Sequence, residues 1–240
     1  MVQDNKGIIW IGTYSGLNTY NGLRVEHYGL KPKNLFDTIL SGCTIRCLFI
    51  DSDNTLWIGT KTDGLLGLNL TNGEQAYFPY TAKSNTALPA ATVLNVKELD
   101  KSTLLLSTSG GLCSLDKTTG IITLLKHTKK ELNILLQDWI TSMDIDNKGN
   151  LWFGNGTIGL VQYNLNTGKY VRYTQEKFPK QLTGNNVRKI FCDSRGWVWV
   201  SYWQTGIVIF KPDSNQIESI LNKTPLIENL YKKVSLVSHF

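Results

Sequence analysis

Three groups of residues have the types and spacing to do chemistry. Cys47-Leu-Phe-Ile-Asp51-Ser-Asp53-Asn-Thr55 is an apolar run ending in two carboxylates. Such an arrangement can deliver one Asp as a nucleophile and a second to handle protons in covalent phosphoryl transfer. Asp144-Ile-Asp146-Asn-Lys-Gly149 has the opening oxygens and the glycine of a calcium loop. Cys43 and Cys47 are spaced like half of a thiolate metal site, and His27, His127 and His239 are the histidines.

Each group lacks something its chemistry requires. The calcium loop has Lys148 at its fifth position and Asn155 at its twelfth, where oxygen ligands of the usual kind are needed. The cysteine pair has no second pair and no nearby His, and the four cysteines do not form a disulfide framework. No His adjoins a Ser or Cys readable as catalytic, and no Gly-rich phosphate loop opens a helix. The Asp51 segment resembles the strand-end motif of haloacid-dehalogenase-type phosphotransferases, but Asp51 belongs to a series with Asp4, Asp146 and Asp193. The sequence therefore predicts no catalytic residue, no cofactor and no bound metal.

The series is part of a repeat. Trp-Ile-Gly-Thr stands at Trp10–Thr13 and Trp57–Thr60, with degenerate copies at Leu105–Thr108, Trp152–Asn155 and Trp199–Tyr202, at intervals of 47, 48, 47 and 47 residues. Each copy reads as four strands. An apolar-polar run leads to an Asp-x-x-Gly or Asp-x-x-Asn turn, whose carboxylate accepts local backbone N–H groups and whose last residue tolerates positive φ. The Trp-bearing strand follows, then a third strand opened by Gly-Leu, an Asn-Gly or Thr-Gly hairpin, and a short aromatic strand such as Tyr170–Tyr173. Four antiparallel strands at this period predict an all-β fold, a β-propeller of about five blades. A blade cannot bury its faces alone, so Trp10, Trp57, Trp152 and Trp199 are read as packing between blades. No segment has the length and 3.6-residue period of a convincing helix; Leu132–Ile140 comes nearest.

Repeat cores lie near 4–28, 45–80, 93–125, 140–173 and 187–220, forming one propeller domain or a part of one. Residues 234–240 read as a further first strand, 47 residues after Val187. It completes blade one and closes a five-bladed ring, or it begins the next blade of a longer array.

The chain has 240 residues, 41% apolar and 18% charged, a normal balance for a globular domain. It has no apolar run of membrane-spanning length, and Met1-Val-Gln-Asp4 is not the start of a signal peptide. The net charge of +6 comes from scattered Lys and Arg, which is no nucleic-acid stripe but suits an anionic ligand.

In a meander the loops alternate between two faces. The short Asp and Asn-Gly turns share one. The other carries the connections from strand two to strand three and from blade to blade, which are longer and irregular, and this is where binding residues concentrate. Tyr14, Trp139, Tyr202 and Trp203 are aromatic residues outside the repeat pattern on that face, with Asn155, Gln204, Asn185 and Asn186 beside them. Aromatic rings and planar amides suit sugars. Arg46 and Arg188 occupy equivalent places near the start of the innermost strand and are suited to clamp a carboxylate or sulfate. The candidate ligand-binding set is Tyr14, Arg46, Trp139, Asn155, Arg188, Tyr202, Trp203 and Gln204.

The pattern in Asp4–Asn18, Asp51–Asn69 and Asp146–Asn164 resembles the two-component-regulator propeller repeat. The third copy has lost its Trp, Asp and Gly. The resemblance implies a periplasmic sensor region of a Bacteroides-type hybrid two-component system. It implies detection of glycan-derived oligosaccharides and control of polysaccharide-utilisation genes, with the kinase elsewhere in the parent protein. Expected partners are an oligosaccharide, the remaining blades and a second propeller; a homodimer is compatible, and contact with membrane or nucleic acid is not expected. The shared motif is structural, so it transfers no binding residue. Two alternatives remain. One is an interaction or dimerisation propeller without its own ligand site. The other is an enzyme resembling streptogramin lyases, which would need His127 to act with a carboxylate.

Overall fold

The computed structural model describes residues 1–28, 34–81, 87–182, 184–212, 214 and 216–219. The last connection, 221–233, the strand 234–240 and His239 lie outside the described residues. Five four-stranded antiparallel sheets follow one another along the chain, each a simple meander. Blade one is β1 (Val2–Gln3), β2 (Ile9–Thr13), β3 (Gly16–Tyr20) and β4 (Val25–His27). Blade two is β5 (Ile45–Ile50), β6 (Thr55–Thr60), β7 (Leu65–Asn69) and β8 (Gln75–Phe78). Blade three is β9 (Val93–Asp100), β10 (Thr103–Thr108), β11 (Gly111–Asp116) and β12 (Ile122–Leu124). Blade four is β13 (Ser142–Ile145), β14 (Asn150–Asn155), β15 (Gly159–Asn164) and β16 (Tyr170–Tyr173). Blade five is β17 (Val187–Cys192), β18 (Val198–Tyr202), β19 (Gly206–Lys211) and β20 (Gln216–Ser219). Among the described residues, sheets adjacent in chain order touch through their inner strands, which is the arrangement of propeller blades.

The repeat motif works one residue at a time. The Asp turns place one carboxylate oxygen on two backbone N–H groups, as in Asp51 Oδ1 accepting from Asp53 and Thr55. The other oxygen accepts the indole N–H of the Trp six residues on. The distances are 3.0 Å for Asp4–Trp10, 2.8 Å for Asp51–Trp57, 2.8 Å for Asp146–Trp152 and 3.0 Å for Asp193–Trp199. Burying an indole leaves one donor to satisfy, and the turn Asp satisfies it. The glycine two residues after Trp makes room for the next blade. A Cβ on Gly12 would lie 2.4 Å from Ile45, one on Gly59 2.8 Å from the Val93 carbonyl, and one on Gly154 3.1 Å from Val187. Those three neighbours each open the next innermost strand. The Thr that follows caps the turn into strand three: Thr13, Thr60 and Thr108 donate to the carbonyls of Gly16, Gly64 and Gly111.

The core lies between blades. Each of four buried clusters joins two adjacent sheets, and each receives an apolar plug from the connection above it. Two plugs are helical, which the sequence reading did not foresee. Helix α1 (Leu35–Leu40), capped by the Asn34 side chain on the Asp37 N–H, inserts Phe36 and Leu40 between blades one and two. Helix α2 (Lys130–Leu136) inserts Leu132, Leu135 and Leu136 between blades three and four. Leu88 and Leu182 do the same without helices. At six and seven residues these helices are too short to stand alone, and packing of their apolar face stabilises them.

Blade three, which lacks the Asp–Trp pair, contributes to a different fastening. Lys117 Nζ lies 3.0 Å from Asp51 Oδ2, 2.8 Å from Asp53 Oδ2 and 2.9 Å from Glu98 Oε1. The three carboxylates are close enough together to ligate a cation, and the ammonium of Lys117 holds that position and ties blade three to blade two.

Candidate functional site

The repeated turn geometry gives the blades two faces, one of short turns and one of longer loops. Asp4, Asp51, Asp146 and Asp193 all lie in turns on one of them, committed to backbone and indole donors. On the opposite, loop-bearing face, Arg46, Lys61 and Arg188 are exposed at the ends of strands. Burial pushes the Cys47 thiol up to about 12, and the Gly59 backbone hydrogen bond acts against that rise.

The eight candidate side chains divide into three groups. Arg188 and Trp203 are brought together: the guanidinium lies over the indole, 3.9 Å from its centroid, and Trp203 is 50% exposed. The Trp203 N–H donates to the Asn186 carbonyl, which fixes the loop from β18 to β19 against the strand entry of its own blade. Gln204 follows in this loop, exposed, with φ of 59°. Trp139 is 49% exposed, and its carbonyl accepts from Asn155 Nδ2 at 2.7 Å. Tyr14 and Arg46 are exposed single side chains, with no side-chain hydrogen bond or ion pair among the described residues.

Asn155 and Tyr202 stand apart from the other six candidates. Both end the Trp-bearing strand, at the place held elsewhere by the capping Thr, and both are buried. Asn155 is consumed by its own turn: Oδ1 accepts from the Thr157 and Ile158 N–H groups and from the Thr157 hydroxyl, while Nδ2 holds the Trp139 carbonyl. Tyr202 lies in the cluster between blades four and five, and its hydroxyl has no partner among the described residues. Burial raises its pKa. An unpaired buried hydroxyl costs about 1–3 kcal/mol. Strand alternation carried this information, since Val198, Val200 and Tyr202 share the face turned toward blade four. Of the neighbouring amides, Asn185 is engaged by Glu176 and the Gln175 N–H.

The two described histidines are likewise engaged. His27 bridges Asn18 and the Ser41 carbonyl, and His127 accepts the Lys129 N–H and meets Tyr163 edge-on at 6.1 Å. Trp197, on the turn face of blade five, is covered by Arg195 and Lys211, but those cations are paired with Asp193 and Glu218.

Comparison with known proteins agrees with the repeat. The family model described as two component regulator propeller matches residues 39–62, which cover the entry to blade two and its Asp51–Trp57 turn and strand. Histidine kinase P4 of Formosa agariphila is 28% identical over 164 residues, which is 67% of this chain and 12% of that protein. The extracellular domain of a hybrid two component system of B. thetaiotaomicron superposes with a TM-score of 0.71 at 22% identity, over 90% of this chain and 28% of that one. Virginiamycin B lyase of Staphylococcus aureus superposes at 0.64 with 14% identity, over 93% of this chain and 69% of that one. At these identities the two structures speak to the propeller fold alone. The chain spans a small part of the kinase and of the two-component domain that it matches.

Proposed function

Taking the chain as an array of two component regulator propeller repeats, we propose that it is part of the extracytoplasmic sensor region of a hybrid two-component signalling protein. In this reading it lies in the periplasm, binds glycan-derived oligosaccharides on its loop face and reports them to a kinase elsewhere in the protein, which regulates polysaccharide-utilisation genes. The region itself is a binding module and not an enzyme. The observation that carries the reading is a division of labour. The repeat residues Asp, Trp, Gly and Thr are spent on turns and blade contacts, while Tyr14, Trp139 and Trp203 stand exposed on the loop face alongside Arg46 and Arg188. Sugar rings pack C–H faces on such exposed rings. Lone exposed hydrophobic residues need no explanation, but three large aromatics on the face with the variable loops do.

A thermal-shift screen of the chain against neutral and acidic oligosaccharides tests this. A selective rise in Tm that is lost in Trp203→Ala and Trp139→Ala supports it. A cooperatively folded sample that no oligosaccharide shifts would remove it and leave the interaction-module reading.

A further inference from the structure

We propose that the Arg188–Trp203 stack in blade five is the subsite for an oxyanion on the sugar, either a uronate carboxylate or a sulfate ester. The inference rests on the loop face being the sugar-binding face, and it names the chemistry that one blade adds to it.

The first observation is the free guanidinium. Arg188 lies 3.9 Å over the Trp203 ring and has no carboxylate or hydrogen-bond acceptor among the described residues. The two cations over Trp197 provide an internal contrast, because Arg195 and Lys211 have the same aromatic support and each is paired with a carboxylate. Stacking fixes the plane of a guanidinium while leaving its N–H edge open, which is the geometry for a bidentate bond to a carboxylate or sulfate. The half-exposed indole beneath it leaves ring surface for the C–H face of the same sugar.

The second observation is that the loop carrying Trp203 departs from the repeat in three consecutive residues. Where other blades end the strand with a capping Thr or Asn, blade five has Tyr202, whose hydroxyl is buried without a partner among the described residues. Trp203 follows, and then Gln204 in the left-handed region at φ 59°. Asn54 is the other non-glycine residue with positive φ among the described residues, and it closes an Asp turn, where that conformation belongs to the repeat. A loop that gives up its cap and takes up backbone strain points to selection for what it presents.

The third observation is the field. Arg46 and Lys61 are also exposed on the loop face, Lys189 is exposed on the innermost strand beside Arg188, and the turn carboxylates lie on the far side of the blades. On the loop face itself Asp63, Asp138 and Glu176 stand in other loops, Glu176 bonded to Asn185, and the neighbouring exposed charge along the strand from Arg188 is the cation of Lys189.

The test is a 15N NMR titration of the whole chain that follows the Arg188 Nε–H and the Trp203 indole N–H. Sodium glucuronate and sodium sulfate are added separately, with sodium chloride at matched ionic strength as reference. The expected result is saturable movement of both resonances with glucuronate, sulfate or both, none with chloride, and loss of the Trp203 response in a folded Arg188→Gln variant. Which anion saturates identifies the carboxylate or the sulfate source. Shifts no different from chloride with both anions overturn the proposal. A glycan array then separates this inference from the broader reading. Neutral glycans bound equally by wild type and R188Q would leave the loop face as the sugar site and remove the oxyanion subsite. Loss of acidic glycans alone in R188Q supports it.

Discussion

The Trp152 indole N–H donates to Asp146 Oδ2 at 2.8 Å, six residues back across a turn, and both side chains are buried. Asp146 also accepts from the Lys148 and Asn150 N–H groups and the Asn150 side-chain amide. One carboxylate thus closes the turn, sets the register of β13 against β14 and satisfies the donor of the largest ring in its blade. The same clasp recurs in four of the five blades. In blade three, the residues six apart are Leu99 and Leu105, so both members have been replaced together. There Leu105 packs with Leu132 and Leu135 of α2 instead.

The clasp should behave as a coupled pair. Asp146→Ala leaves several buried donors without an acceptor and should destabilise the protein by about 3 kcal/mol, and Trp152→Phe by about 2 kcal/mol. The double variant should lose about 1 kcal/mol less than the sum, because the indole donor is no longer there to be orphaned. Urea denaturation of the four proteins gives the cycle. Strict additivity would show that the indole bond contributes nothing beyond the turn.

The motif glycine has a different reason for its place. A Cβ on Gly154 would lie 2.4 Å from the Gly159 carbonyl and 3.1 Å from Val187 of the next blade. Gly154→Ala should therefore cost about 3 kcal/mol through displaced backbone and separation of blades four and five. A Tm unchanged by the substitution would mean that the blades can shift apart freely.

Much of this architecture was legible in the sequence, because a 47-residue period fixes the number of strands and the place of each turn. The second role of Asp was hidden even though the spacing of six was visible. A turn-opening carboxylate already explains its own presence, and the destination of its second oxygen depends on how the turn folds back toward the ring. The two helices were hidden by length, although Leu132, Leu135 and Leu136 have helical spacing. On the loop face, exposure had to be judged residue by residue. Period-two alternation placed Asn155 with Leu151 and Phe153, and Tyr202 with Val198 and Val200, all buried. Trp203, one residue beyond the strand, escapes that alternation and is half exposed.

The turn Asp of blade five carries a pH signature. Burial works to raise the Asp193 carboxyl, and hydrogen bonds from Arg195, the Trp199 indole and the N–H groups of Trp197 and Arg195 outweigh it, holding the group down to about 2 against an ordinary 3.8. The folded-state value is the lower one, so the stabilisation is fully present above the ordinary value and is lost as pH falls through about 2. Carboxyl 13C titration should give a midpoint near that lower value, and Asp193→Asn should differ least from wild type at the acid end. A midpoint at the ordinary value would contradict the hydrogen-bond account.

Tyr202 makes a prediction of the opposite sign to most core substitutions. Its hydroxyl is buried without a partner among the described residues, so Tyr202→Phe removes a desolvation cost and no bond to them. Stability should rise by about 1 kcal/mol. A loss of that size in chemical denaturation would show that the hydroxyl is satisfied in solution, by an ordered water for instance.

Gln204 tests whether the strain beside Trp203 serves binding. At φ 59° a side chain with a Cβ is held in a region that costs roughly 1–2 kcal/mol, and glycine enters it freely while adding entropy to the unfolded chain. The two terms leave Gln204→Gly more stable by about 0.5 kcal/mol, measurable as a small rise in Tm. If the strained loop exists to present Trp203 under Arg188, the same change should loosen the loop and weaken oxyanion binding several-fold, by about 1 kcal/mol. Stability and affinity would then move in opposite directions. A variant that gains stability and keeps full affinity would mean that the left-handed Gln204 has no part in holding the stack.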